Sequence, residues 1–168
     1  MVRAGAVRWP WGFGFRLLTA SFWLRQQRSS FLTVNGMPGY SGTPLPKKLG
    51  IKPGFRVRLA NSPAEVRAQL REALAECDLK HGDALDFVMI FSKSRAELAK
   101  EFSRMTKVLA PAGMLWVSWP KKSSGVATDV DENVVRGIGL DRGLVDVKVC
   151  AVTEVWSGLK FVRRVKDR

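Results

Sequence analysis

The sequence predicts an α/β fold. It should be a small three-layer domain with a mixed sheet, parallel central strands and a C-terminal antiparallel hairpin. Three observations point there. Strand-type and helix-type periodicities alternate from residue 55 onward. DFVMIF (86–91) and GMLWVSW (113–119) are almost continuously apolar, as strands covered on both faces are. VDVKVCAVTEVW and LKFVRRV, split by Ser157-Gly158, read as an antiparallel pair.

The elements follow in order. FRVRLA (55–60) puts Val57 and Leu59 on one side of a short strand. Ser62-Pro63-Ala64-Glu65 then supplies an N-cap, a proline for the first helical position and the acid of a capping box. The helix it opens carries Val66, Leu70, Leu74 and Cys77 on one face. After DFVMIF, Ser94-Arg95-Ala96-Glu97 is a second capping box, and Leu98, Phe102, Met105 and Leu109 share its helix face. Pro111 and Gly113 end that helix. Thr128 or Asp129 is placed to cap a third, with Val130, Val134 and Ile138 inward. Alternation puts Trp116 and Trp119 in or beside the core, and Trp156 packs at a turn. Right-handed crossovers are expected throughout.

The 168 residues, 46% of them apolar, suffice for one domain with a proper core. Residues 1–36 read differently from the body. They hold five arginines and no acid, and their uncharged run LLTASFWL is too short to span a bilayer. The expectation is that they add nothing to the core. Met37 is the expected true start, with the upstream residues a non-native reading; a disordered or targeting extension is the alternative. Residues 37–54 are expected as an extended lead-in, TPLPKKLG lying on the surface, and 55–168 as the single α/β domain.

Net charge is +13, from 28 basic and 15 acidic residues, so anionic partners are favoured as a class. Excluding 1–36 leaves 23 basic and 15 acidic residues, or +8. Cys77 and Cys150 read as small buried hydrophobes and His81 is the only histidine. With no CxxC and no cluster at ligand spacing, no metal is expected, and a Cys–His nucleophile has nothing to bring it together. Low cysteine content fits a cytoplasmic setting.

LGIKPGFRVRLANSP is similar to the approach to the first motif of class I S-adenosylmethionine-dependent methyltransferases. MTKVLAPAGMLWVSW resembles that family's fifth strand and the stretch before it, and residues 145–165 resemble its sixth and seventh strands. The resemblance implies a Rossmann-like fold, of which this chain would be a truncated version. About 25 residues separate the first strand from DFVMIF, room for one helix and a short edge segment near 79–84. The family's glycine-rich cofactor turn corresponds to Ala60-Asn61-Ser62-Pro63-Ala64, without glycine, and the acid that would hold the ribose has no counterpart. No cofactor is therefore expected, S-adenosylmethionine being disfavoured. GYSGTPLPKKLGIKPG, WPKKSSGVATD and GLVDVKVCAVTEVWSGLKFV together resemble the uncharacterised bacterial family known as domain of unknown function 3052, which implies no established activity.

In open parallel sheets, ligands collect outside the carboxyl ends of the strands. The predicted strands deliver Asn61 and Ser62, then Ser92 and Lys93, then Lys121, Lys122, Ser123 and Ser124 to that edge. Beside helix N-termini, these hydroxyls, the amide and the lysines form a candidate site for a phosphate or other anion. GxxxxGK[ST] is absent, so it is no P-loop. Ser62 and Ser94 are equally needed as helix caps, and Asp129, Asp131 and Glu132 suit a helix start. The expected function is a non-catalytic domain binding an anionic ligand or partner. A methyltransferase with a degenerate cofactor loop is the first alternative, and nucleic-acid binding through the basic surface the second.

Overall fold

The computed structural model describes residues 42–79 and 82–168. The expectations for residues 1–36, for the first part of the lead-in and for His81 lie outside them. The described chain runs α1 (Leu45–Leu49), β1 (Val57–Ala60), α2 (Ala64–Ala75), β2 (Leu85–Phe91), α3 (Arg95–Val108), β3 (Leu109–Pro120), α4 (Glu132–Asp141), β4 (Leu144–Ala151) and β5 (Trp156–Arg163). One five-stranded sheet has the order β1-β2-β3-β5-β4. β1, β2 and β3 are parallel. β5 is antiparallel to both β3 and β4, so it alone runs against the sheet. This is the mixed, Rossmann-like α/β architecture.

The two faces carry separate cores. α3 and α4 cover one, where Leu98, Phe102, Met105 and Val135 meet Val88, Ile90, Leu115, Val117 and Trp119. α1 and α2 cover the other, where Leu45, Leu49, Val66 and Leu70 meet Phe87, Met89, Phe91 and Trp116. Alternation along β2 and β3 feeds both layers, which is why those strands read as unbroken apolar runs.

Several local expectations change. The lead-in expected to be extended contains α1, a single turn started at Pro46 and ended by Gly50 at φ 81. Leu45 and Leu49 lie four residues apart and are both buried, and the Trp116 indole N–H donates to the Leu49 carbonyl at 3.1 Å. The lead-in is thereby fastened to the core. Pro63, not Ser62, is the N-cap of α2, and Asp131, rather than Thr128 or Asp129, caps α4 by accepting from Val134 N. That shift turns Val135 and Gly139 inward in place of Val134. α2 stops at Ala75, so Cys77 lies beyond it; Cys77 and Cys150 are half-buried, and burial raises both thiol pKa values.

The hairpin turn is not at Ser157-Gly158. β4 ends at Ala151, and Thr153 builds the turn, its Oγ1 accepting from Val155 N and Trp156 N at 3.2 Å. Ser157 and Gly158 lie inside β5, where a Cβ on Gly158 would meet Val152 Cγ2 at 2.8 Å. Gly158 there marks a close approach, not a bend.

Arg56 clasps Asp86 where β1 and β2 begin. Its backbone N and Nε donate to Oδ2 at 3.0 and 2.9 Å, and Nη2 donates to Oδ1 at 3.0 Å. These bonds, the side-chain ones foremost, hold the Asp86 carboxyl below the usual carboxylate range. The stabilisation is present above the unfolded Asp value near about 4 and fades as pH falls through the lower folded value. Asp86→Asn should therefore lose stability near neutral pH. Its deficit against wild type should shrink between about pH 6 and about pH 2, read by urea titrations across that range. Gly139→Ala should be destabilised by about 1 kcal/mol in the same titration. Its new methyl overlaps Phe161, with Cζ 2.6 Å away, and that buried ring stands edge-on to Phe102 at 5.5 Å. Overpacking of about 1–3 kcal/mol then outweighs a helix-propensity gain of about 1 kcal/mol.

Candidate functional site

β1 feeds α2 on one face and β2 feeds α3 on the other. The chain leaving α2 returns to the outer side of β1, touching it in a single parallel bridge, Arg56 to Asp78. The chain leaving α3 returns on the opposite side, as β3. The connections diverge between β1 and β2, and such a divergence opens a crevice at the carboxyl ends of the two strands.

A cleft of about 690 Å³ lies there. Asn61, Pro63, Ala64 and Glu65 come to it from the start of α2, and Phe91, Ser92 and Lys93 from the end of β2. Glu97, Val126, Val155 and Trp156 complete the wall. Trp156 stands edge-on to Phe91, 5.2 Å between centroids, and gives the cleft an apolar floor. Thr153 Oγ1 donates to Glu65 Oε1 at 3.2 Å and links the β4–β5 turn to α2 across the opening.

The eight expected site residues divide. Asn61, Ser92 and Lys93 line this cleft. Lys121 and Lys122 line a second cleft of about 490 Å³ with Asp129, Asp131 and Glu132. Ser62 is buried and accepts from Arg67 Nε at 2.6 Å. Ser123 and Ser124 sit in a 3-10 turn after β3, where Ser124 Oγ donates to Lys121 O at 2.6 Å. Ser92 Oγ donates to Ser94 O at 2.9 Å and accepts from Ser94 N at 3.2 Å. The hydroxyls of Ser62, Ser92 and Ser124 thus shape the loops that carry them.

The helix N-termini are also unequal. Ser94 occupies the N-cap of α3 without a side-chain cap bond. Asp129 provides the cap from the loop after β3, accepting from Arg95 N at 2.7 Å. Thr128 Oγ1 donates to Lys93 O at 2.7 Å, locking that loop down. α3 and α4 are therefore capped by carboxylates, whereas α2, which opens beside the 690 Å³ cleft with Glu65 in its first turn, has no side-chain cap among the described residues. Sequence reading assigned Asp129 to its own following helix. A bond across 34 residues leaves no local spacing signal. The cleft positions of Glu65, Glu97 and Val155 were missed for the same reason. Among the described residues no group of three or more His, Cys, Asp and Glu could hold a metal ion.

No protein family and no curated protein matches the sequence. Solved structures do. A putative type 11 methyltransferase from Sulfolobus solfataricus is 14% identical with a TM-score of 0.51, over 72% of this chain and 90% of that one. A SAM-dependent methyltransferase from Aquifex aeolicus is 16% identical at TM-score 0.49, over 68% and 85%. Magnesium protoporphyrin IX methyltransferase from Synechocystis PCC 6803 with bound SAH is 14% identical at TM-score 0.49, over 71% and 78%. The Sulfolobus likeness shows a shared Rossmann-like α/β fold.

Asn61 takes φ 55, a backbone natural to glycine, but keeps a side chain at the turn after β1. Among the described residues the pairing on the outer side of β1 is the Asp78 bridge, at the strand's amino end.

Asp129→Ala should cost about 1 kcal/mol, as for lost N-caps generally. By amide exchange it should expose Arg95 N and residues 121–130, whereas Asp131→Ala should expose the start of α4 and leave Arg95 protected.

Proposed function

We propose that this protein is a non-catalytic Rossmann-like domain that binds a small ligand bearing an anionic group in the cleft between the ends of β1 and β2. One observation carries the reading: a cleft of about 690 Å³ at the divergence of the connections, onto which opens the N-terminus of α2, uncapped by any side chain among the described residues. Its volume is that of a small-molecule site. The anion faces the first turn of α2, Asn61 and Lys93 supply side-chain donors, and the Phe91–Trp156 floor takes an apolar or aromatic part. Ser62 and Ser92 act indirectly, by holding the two loops. Lys121 and Lys122, with Ser123 and Ser124 in the turn behind them, form a separate basic margin of the same sheet edge.

The resemblance to the bacterial domain of unknown function 3052, the start at Met37 and a cytoplasmic setting belong to this reading; free Cys77 and Cys150 agree with the last. A second reading is a methyltransferase with a degenerate cofactor loop, favoured by the likeness to the Sulfolobus structure. Nucleic acid is a third partner class, supported by the charge of +13 alone.

Thermal-shift measurements on the whole chain with inorganic phosphate, adenine nucleotides, S-adenosylmethionine and S-adenosylhomocysteine test these readings. A ligand at a hundred times its Kd stabilises by about 2.7 kcal/mol. The expected result is a shift with phosphate or nucleotide that Lys93→Ala removes and Lys121→Ala/Lys122→Ala keeps. A shift lost only in the double variant moves the site to the other cleft. A shift specific to the two S-adenosyl compounds establishes the second reading instead, and no shift with any probe overturns the proposal.

A further inference from the structure

The outer side of β1 is a strand lane of which the described residues occupy only the start. Val57 N donates to Asp78 O at 2.8 Å, and Asp78 N donates to Phe55 O at 2.9 Å. β1 ends the strand order, so among the described residues nothing continues this ladder alongside Arg58, Leu59 and Ala60. An unfinished edge presents backbone donors and acceptors to any extended chain.

A groove of about 510 Å³ follows the same edge, between β1 and the flank of α2. Leu59, Leu74 and Leu79 give it an apolar lining, and Leu79 is 53% exposed. Arg67 and Arg71, one turn apart on α2, overhang it, and Arg58 lies on the strand itself. Arg67 spends Nε on Ser62. Arg58 and Arg71 have no partner among the described residues. By strand alternation, Leu59 faces α2 and Arg58 faces the other side of the sheet. Any strand laid in the lane meets guanidinium groups on both faces and an apolar surface below α2.

We propose that this edge is a docking site for an acidic, extended peptide segment of another protein, which adds as a strand beside β1 where the Asp78 bridge stops. Its backbone completes the ladder, its apolar residues enter the Leu59–Leu74–Leu79 groove, and its Asp or Glu side chains pair with Arg58, Arg67 and Arg71. Charge complementarity selects this occupant. A second copy would bring the same three arginines against themselves. The chain's own residues 1–36 hold five arginines and no acid. β4, the other edge, has a register shift between Asp146 and Lys148, an irregularity that discourages strand addition.

The test uses the whole chain and a fluorescein-labelled (Val-Glu)3 peptide, read by fluorescence polarisation at low salt. Binding is expected to weaken about tenfold or more when Arg67→Glu and Arg71→Glu are combined, and equally when the peptide's valine amides are N-methylated. Both arginines are exposed, and circular dichroism checks that the double variant keeps its fold. Equal affinity for the N-methylated peptide shows a merely ionic surface and overturns the proposal. So does binding unchanged in the arginine variant, no binding up to about 1 mM peptide, or self-association through β1 that excludes the peptide.

Discussion

Everything at the sheet's carboxyl edge depends on β2. It is buried on both faces and hydrogen-bonded on both sides, by β1 and by β3, in parallel. A parallel strand needs a crossover to reach its neighbour, and a crossover needs a helix-covered face. Phe87, Met89 and Phe91 anchor one face while Val88 and Ile90 anchor the other. With α2 and α3 committed to opposite faces, the ends of β1 and β2 must open away from each other. The cleft is therefore a product of topology before it is a product of any single side chain.

That edge is economical with its own charges. The N-termini of α3 and α4 are occupied by Asp129 and Asp131, and the serines that looked like ligand donors hold loops in shape. The three loops are also stitched together. Thr128 and Asp129 both bond the Lys93 carbonyl, and Lys121 N bonds the Val155 carbonyl. The start of α2 is tied in too, by the Thr153–Glu65 bond, but among the described residues no side chain caps its first N–H groups. An incoming group meets uncapped N–H groups there, beside Glu65, whereas at α3 and α4 it would have to displace a capping carboxylate.

Much of the fold was legible because its signals are local. β2 and β3 announced themselves by unbroken apolar runs, α2 and α3 by residues such as Leu70 and Phe102 at helical spacing. What was lost needed contacts distant in sequence. α1 is too short for periodicity to mark, and it is its packing, with Leu45 and Leu49 buried and the Trp116 indole bonded to Leu49, that shows it belongs to the core. Ser157-Gly158 carried a genuine turn composition, yet Gly158 is there because Val152 and Trp116 leave no room for a Cβ. The edge composed of Asn61, Ser92, Lys93 and the dilysine loop was legible from topology alone. Its division into two clefts was not, since that depends on where the Asp129 loop folds back.

The position of β5 has a consequence for how the chain matures. β5 follows β3 and β4 in the chain yet lies between them in the sheet. Until it emerges, β4 has no place to attach and the floor residue Trp156 does not exist. During synthesis the sheet therefore stays open until residues 156–163 have emerged, its interior waiting on β5. Early termination removes a keystone and not a margin.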